Sequence, residues 1–237
     1  GVKTADGEEI LCDTAVLAIG HSARDTFTYL YEQGIPMEAK PFAMGVRIEH
    51  PQTLVDAAQY GAVNPVLPPA DYKLVRHLEN ETVYTFCMCP GGEVVAAASE
   101  EGGVVVNGMS HRARDGANSN AAIAVSIRTT DYEPVEGSLV LGAIAYQRRI
   151  ERAAFLAGGG DYSVPVQTVG DFLEGDTAIH EPSRVKPSYM GGDHYRLAPV
   201  SATLPDYVCQ SLRYGLRSFD RKVHGYAQTS AVLSAAE

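Results

Sequence analysis

Cysteine is scarce in this sequence, basic residues are outnumbered, and no run of apolar residues is long. Four cysteines, Cys12, Cys87, Cys89 and Cys209, are too few and too scattered to form a disulfide framework in 237 residues. A reducing, cytoplasmic setting is the expectation. Lys and Arg number 19 against 29 Asp and Glu, for a formal net charge of -10. That balance argues against nucleic acid or an anionic membrane as partner, because both need clustered basic side chains. No apolar stretch approaches the roughly 20 residues of a transmembrane helix. The opening Gly1-Val2-Lys3 leads into no apolar run either, so it does not read as a secretory leader.

Several motifs are absent as well. A dinucleotide site needs Gly-x-Gly-x-x-Gly between a strand and a helix, because only glycine lets the backbone approach the pyrophosphate. No such match occurs. Gly158-Gly159-Gly160 follows a helical pattern and reads as a helix stop, and Gly102-Gly103 falls in a turn. There is no P-loop, no His-Glu-x-x-His and no pair of Cys-x-x-Cys motifs, and no metal site is expected.

What is present is a 45% hydrophobic chain that can bury a core. Val2 to Thr4 and Glu9 to Cys12 flank Ala5-Asp6-Gly7 and read as a hairpin. Thr14 to Ile19 is apolar without alternation, the pattern of a strand buried on both faces. Gly20 ends it, Ser22 is a candidate N-cap, and Phe27, Leu30 and Tyr31 give helical spacing up to Gly34 and Pro36. Residues 14–34 thus read as strand, turn and helix, half of a nucleotide-binding unit.

The texture then changes. Phe42 to Glu49 reads as a strand, Thr53 to Tyr60 as a helix and Asn64 to Ala70 as a proline-rich loop. Tyr72 to Leu78 and Thr82 to Met88 form a hairpin about Glu79-Asn80-Glu81. Strands follow near Glu93 to Ala98, Val104 to Asn107 and Ala121 to Ile127. One apolar helical stripe runs through Tyr146, Ile150, Ala153, Ala154 and Ala157, another through Val208, Leu212, Leu216 and Phe219 after Pro205. Residues 158–204 show little periodicity and read as a long irregular connection, and Thr229 to Leu233 as the start of a further element. The expected fold class is α+β: a remnant of an α/β nucleotide domain over residues 1–40, then a β-rich mixed domain with flanking helices over 41–237.

Four blocks carry a family resemblance. They are Ala18 to Phe27, Pro41 to Gln52, Cys87-Met88-Cys89-Pro90-Gly91-Gly92 with Val105 to Ser110, and Pro165-Val166-Gln167 with Gly170-Asp171-Phe172. Together, in this order, they resemble bacterial FAD-dependent, or NAD(FAD)-utilising, dehydrogenases. The resemblance implies a two-lobed flavoprotein whose Gly-rich FAD motif lies upstream of these blocks. The chain would then be an internal fragment, mainly the inserted substrate-side domain. Its partners would be the FAD-binding remainder of its own chain and a small-molecule substrate. FAD would be the cofactor of the full-length parent, with NAD(P)H as a further candidate.

The candidate site residues each have a plainer alternative. Gly20, His21, Ser22 and Arg24 lie where a strand enters a helix, the edge at which α/β sheets bind ligands; the resemblance puts this turn near FAD, and the alternative is an ordinary capped turn. Arg24 and Asp25 could equally pair with each other or cap the helix. Pro90-Gly91-Gly92 would let backbone approach a flat ligand, the flavin ring or the substrate. Cys87 and Cys89 could be a thiol redox pair, or two small residues in a strand. Asn107 and Ser110 could line a substrate pocket or form a solvated loop, and His111 and Arg114 are weak catalytic candidates. A charged turn is expected at Asp220-Arg221-Lys222. Outside the enzyme class, the chain could be a non-catalytic binding or assembly module.

Overall fold

The structure, a computed structural model, describes residues 1–64, 66–175, 179–192 and 194–237. Pro65 of the proline-rich loop therefore lies outside the described residues, as do positions 176–178 and 193 of the stretch expected to be irregular. The chain divides into two units, residues 1–36 and 37–237.

In the first unit, β1 (Val2–Lys3) and β2 (Glu9–Ile10) pair antiparallel as the turn signal predicts. Gly7 supplies the left-handed angle there, with φ 92°. Helix α1 (Arg24–Glu32) stops short of Gly34, again left-handed at φ 74°. Two expectations need correction. Thr14 to Ile19 forms no strand; it is irregular, and Val16 and Leu17 are 86% and 63% exposed. An apolar run becomes a buried strand only when sheet neighbours take up its backbone groups. The described strands of this unit are β1 and β2 alone, which pair with each other. Ser22 also does not cap α1: the N-cap position is Ala23, with no side-chain cap bond.

The second unit is built on a seven-stranded mixed sheet that does not close into a barrel, so the fold is α+β. Its centre is β3 (Phe42–Pro51) against β8 (Asn118–Ile127), ten residues each, antiparallel in full register. β5 (Thr82–Cys89) follows on β8, then the short β4 (Val75–His77), the hairpin expected about residues 79–81. On the other side of β3 come β11 (Val232–Ser234), β9 (Val164–Thr168) and β10 (Tyr195–Leu197). A separate hairpin, β6 (Gly92–Ala97) with β7 (Val105–Ser110), contacts β8 and β3. A third correction lies here: the stretch expected to be irregular contributes β9, β10 and α4 (Val169–Glu174) to the sheet and its margin.

The sheet's two faces differ because side chains alternate along a strand. One face carries Val46, Ile48, Ile123, Val125 and Leu233, all fully buried in the main apolar core. Helices α2 (Gln52–Tyr60) and α5 (Asp206–Asp220) contact the sheet, and α3 (Leu139–Ala157) packs beside β9. The α5 stripe of Val208, Leu212, Leu216 and Phe219 is fully buried. Four side chains of that kind contribute on the order of 6–12 kcal/mol of apolar burial. On the opposite face, the alternate positions Arg47 and Glu49 of β3 and Asn118 and Asn120 of β8 are polar, yet buried. That polar layer is the chemically distinctive part of the unit.

Candidate functional site

The polar layer centres on Arg47, which is fully buried. Its Nε and Nη2 each donate to the Glu237 carboxylate at 2.9 Å, and its Nη1 donates to Asn120 Oδ1 at 2.6 Å and to the Cys87 carbonyl at 3.3 Å. A buried guanidinium persists only with such a full set of acceptors. Burial pushes the Glu237 carboxyl above the usual range, and the Arg47 hydrogen bond and charge pull it back in part.

Cys87 is where Arg47 meets a break in the sheet. The register between β5 and β8 shifts between Phe86 and Cys89, a β-bulge. Cys87 sits in it with φ 46°, a left-handed backbone on a residue other than glycine. Cys89 returns to register opposite Asn120, and its thiol donates to the Cys87 carbonyl at 3.4 Å. Burial raises the Cys89 thiol's pKa, with Arg47 working in the other direction. Both thiols are free. The bulge redirects the chain into Pro90-Gly91-Gly92, and the Ser110 hydroxyl closes it by donating to the Pro90 carbonyl at 2.8 Å. From α2, Gln52 Oε1 accepts from the Gly91 N–H at 2.8 Å.

The structure therefore brings Pro90, Gly91, Gly92 and Ser110 of the expected residues to one place. The glycines have an intramolecular reason to be there. A Cβ on Gly91 would overlap the Arg114 carbonyl, and one on Gly92 would lie 2.6 Å from the Met109 carbonyl and 2.9 Å from Ser110 Oγ. A Cβ on Gly108, between Asn107 and Met109, would overlap Arg47 Nη1 and Asn120 Oδ1. Asn107 is exposed and its Oδ1 accepts from the Gly108 N–H. His111 is exposed and lies 3.7 Å from the Glu93 carboxylate. Arg114 occupies a turn with φ 52° and contributes its carbonyl to the packing of Gly91. Gly20, His21, Ser22 and Arg24 belong to the first unit, around Gly20 at φ 73° and the start of α1.

Sequence reasoning missed Arg47, Asn120, Glu49 and Glu237. The signal available was the charge pair Arg47 and Glu49 two apart inside an otherwise apolar strand, which places both on one face. Glu49 accepts from Asn118 Nδ2 at 3.0 Å, from the Ser188 N–H at 3.1 Å and from Ser188 Oγ at 2.5 Å. Burial outweighs these bonds and lifts its pKa to about 7. Among the described residues no group of three His, Cys, Asp or Glu side chains could hold a metal ion, and no helix is long and apolar enough to cross a membrane.

Whether this site suits a flavin can be asked of its surfaces. The bulge is flanked by two exposed apolar side chains, Phe86 of β5 and Met109 of β7, 42% and 52% exposed. Asn120 Nδ2 is buried with no hydrogen-bond partner among the described residues. Exposed apolar side chains of this kind suit the ring end of a flavin, whereas the Asn120 amide is closed to it. A pyrophosphate needs a glycine-rich turn opening a helix, and α2 instead begins after Pro51 with no such turn.

The family described as "FAD-dependent protein, C-terminal domain-like" matches residues 41–237. An uncharacterised protein of Clostridium beijerinckii is 48% identical over 236 residues, which cover 98% of this chain and 43% of the relative. The chain thus spans less than half the length of that relative.

Proposed function

This chain belongs to the family of FAD-dependent proteins, C-terminal domain-like, and on that premise we propose that it supplies the substrate-side domain of an FAD-dependent oxidoreductase. The match over residues 41–237 carries the reading. The bulge at Cys87 to Gly92 is the part of the domain proposed to face the flavin ring, with Phe86 and Met109 as its apolar flank. FAD, when bound to the parent, supplies a two-electron acceptor. The residues of this chain would do the positioning. Arg47, locked by Glu237 and Asn120, fixes the bulge through the Cys87 carbonyl. Ser110 holds Pro90 in place. Asn107, with His111 and Arg114 beyond the same strand, would meet a polar substrate, and His111 could move a proton. The turn at Gly20, His21, Ser22 and Arg24 is assigned to the cofactor side on the family resemblance. A nicotinamide reductant and a dehydrogenase direction are part of the same proposal.

The test is spectroscopic. The full-length parent, purified, should show the visible bands of bound flavin, and NADH or NADPH should bleach them without oxygen. The 237-residue chain alone should be colourless, since the phosphate-binding turn is missing from its sequence. A parent that neither carries nor takes up FAD removes the reading. Stoichiometric flavin on the isolated chain would show that the phosphate contacts lie within it after all.

A further inference from the structure

The two thiol groups of the bulge have no part in the function proposed above. Both are free; Cys87 is exposed and Cys89 is half-buried. The Cys89 thiol turns back along the strand and donates to the Cys87 carbonyl at 3.4 Å. Residues two apart in a strand have Cα atoms about 6.6 Å apart, inside the roughly 4.4–6.8 Å that a disulfide spans. Closing such a bond needs backbone that can adjust. The bulge supplies it: Phe86 pairs with Ala122 and Cys89 with Asn120, which leaves Cys87 and Met88 together opposite Ala121.

The surroundings of Cys89 suit a sulfur that must ionise in order to react. Gly92 leaves room beside it, since a Cβ there would lie 2.9 Å both from the Cys89 Cβ and from Ser110 Oγ. Burial raises the Cys89 thiol's pKa, while Arg47 and Ser110 favour its thiolate. Arg47 also donates to the Cys87 carbonyl through Nη1. Asn120, the register partner of Cys89, keeps a buried Nδ2 with no hydrogen-bond partner among the described residues. Directly opposed residues of an antiparallel pair put their side chains on one face. A solute therefore meets Cys87 first, and the second thiol waits behind it among donors.

We propose that Cys87 and Cys89 form a thiol–disulfide exchange site whose substrate is a low-molecular-weight disulfide, R–S–S–R. The Cys87 thiol gives its proton to water, and its thiolate attacks one sulfur of the substrate. The R–S–S–R bond breaks, a Cys87–S–S–R bond forms, and RS⁻ leaves and is protonated by water. The Cys89 thiolate, formed in the same way, attacks Cys87 Sγ and displaces the second RS⁻, which is protonated in turn. The substrate gains two electrons and becomes two thiols, and the cysteine pair loses two and becomes a disulfide. Only this chain's thiols and the added disulfide take part, so the outcome is separate from the flavin reading.

The test uses the whole chain carrying Cys12→Ser, which removes the other exposed thiol. The reduced chain is mixed with excess bis(2-hydroxyethyl) disulfide without oxygen, quenched with iodoacetamide and followed by intact and peptide mass spectrometry. The expected product has lost two hydrogen atoms, links Cys87 to Cys89 and has released two equivalents of mercaptoethanol. Adding Cys89→Ser should stop the reaction at a mixed disulfide on Cys87. The bond should close about tenfold faster in the folded chain than in urea, because the fold holds the second sulfur over residue 87. A pair that stays reduced overturns the proposal, as do separate mixed disulfides on the two cysteines. So does a Cys89→Ser chain that takes up no mercaptoethanol, or a bond that closes no faster in the folded chain than in urea.

Discussion

Arg47 and Glu237, 190 positions apart, meet fork to fork: Nε and Nη2 of the guanidinium each donate to one carboxylate oxygen at 2.9 Å. Both side chains are withdrawn from solvent, at 0% and 9% exposure. Breaking such a pair from one side leaves an uncompensated buried charge. Arg47→Met should cost about 3–5 kcal/mol of stability. Arg47→Met combined with Glu237→Leu should cost clearly less than Arg47→Met alone, because the orphaned carboxylate has gone. Urea unfolding of the three proteins decides it; a double variant no more stable than Arg47→Met would mean the pair is not coupled.

Adjacent residues on opposite faces of β3 should give opposite pH slopes. Glu49 has its pKa raised by burial from 4.5 to about 7. Its protonated form is the one the fold favours, so its contribution is complete below 4.5 and is lost as pH rises through about 7. The span corresponds to about 3 kcal/mol. Subtracting the stability profile of Glu49→Gln from that of the native chain should leave this falling curve. A flat difference would mean that the carboxyl titrates normally.

His50 behaves the other way. Burial against Tyr226 lowers its pKa from 6.5 to about 4, and its Nε2 lies 2.7 Å from the Tyr226 carbonyl. The folded chain holds the ring neutral, so its contribution is present above 6.5 and is lost as pH falls toward about 4. His50→Gln should therefore flatten the acid limb of the thermal stability profile between those values. An acid limb as steep as the native one would count against it.

The bulge makes a prediction about backbone angle. At φ 46°, Cys87 pays for a left-handed conformation that glycine adopts without strain. Cys87→Gly should leave stability within about 1 kcal/mol of native, whereas Cys87→Val should lose about 1–2 kcal/mol more than the glycine variant. Thermal melts of the two distinguish them, and equal melting points would show that the angle carries no strain.

Gly108 has little tolerance for a side chain. A methyl there would overlap Arg47 Nη1 and Asn120 Oδ1, two buried groups bonded to each other. Gly108→Ala should cost about 1–3 kcal/mol, the usual cost of overpacking, measurable by denaturant titration. An unchanged midpoint would show that the hub has slack.

Much of this architecture was legible in the residues. Strong periodicity and clear stops marked α3 and α5, and the turn signals at residues 5–7 and 79–81 marked two of the hairpins. Two kinds of element were not legible. β9, with Pro165 inside it, and the three-residue β11 are too short to show a period; β11 is a strand because β3 offers it an edge, and β9 because β11 does. Thr14 to Ile19 failed in the opposite sense: its composition suits a buried strand, and the strands of its unit offer it no partner. At the site, Pro90 to Gly92 and Ser110 could be read as punctuation near a polar cluster. The Arg47 hub could not, because it joins β3, β5, β8 and residue 237 through contacts that no local pattern encodes.

The position of β11 has a consequence for how this sheet comes into being. Residues 232–234 lie between β9 and β3, so among the described residues the β10–β9 pair joins the block of β3, β8, β5 and β4 in the sheet only through them. A ribosome must deliver more than two hundred residues before that wedge can enter. Until then the two strand blocks expose facing edges, each a template for some other chain. Assembly of this unit is thus gated by its latest arrival, and nascent chains stalled before residue 232 should be the form that chaperones hold.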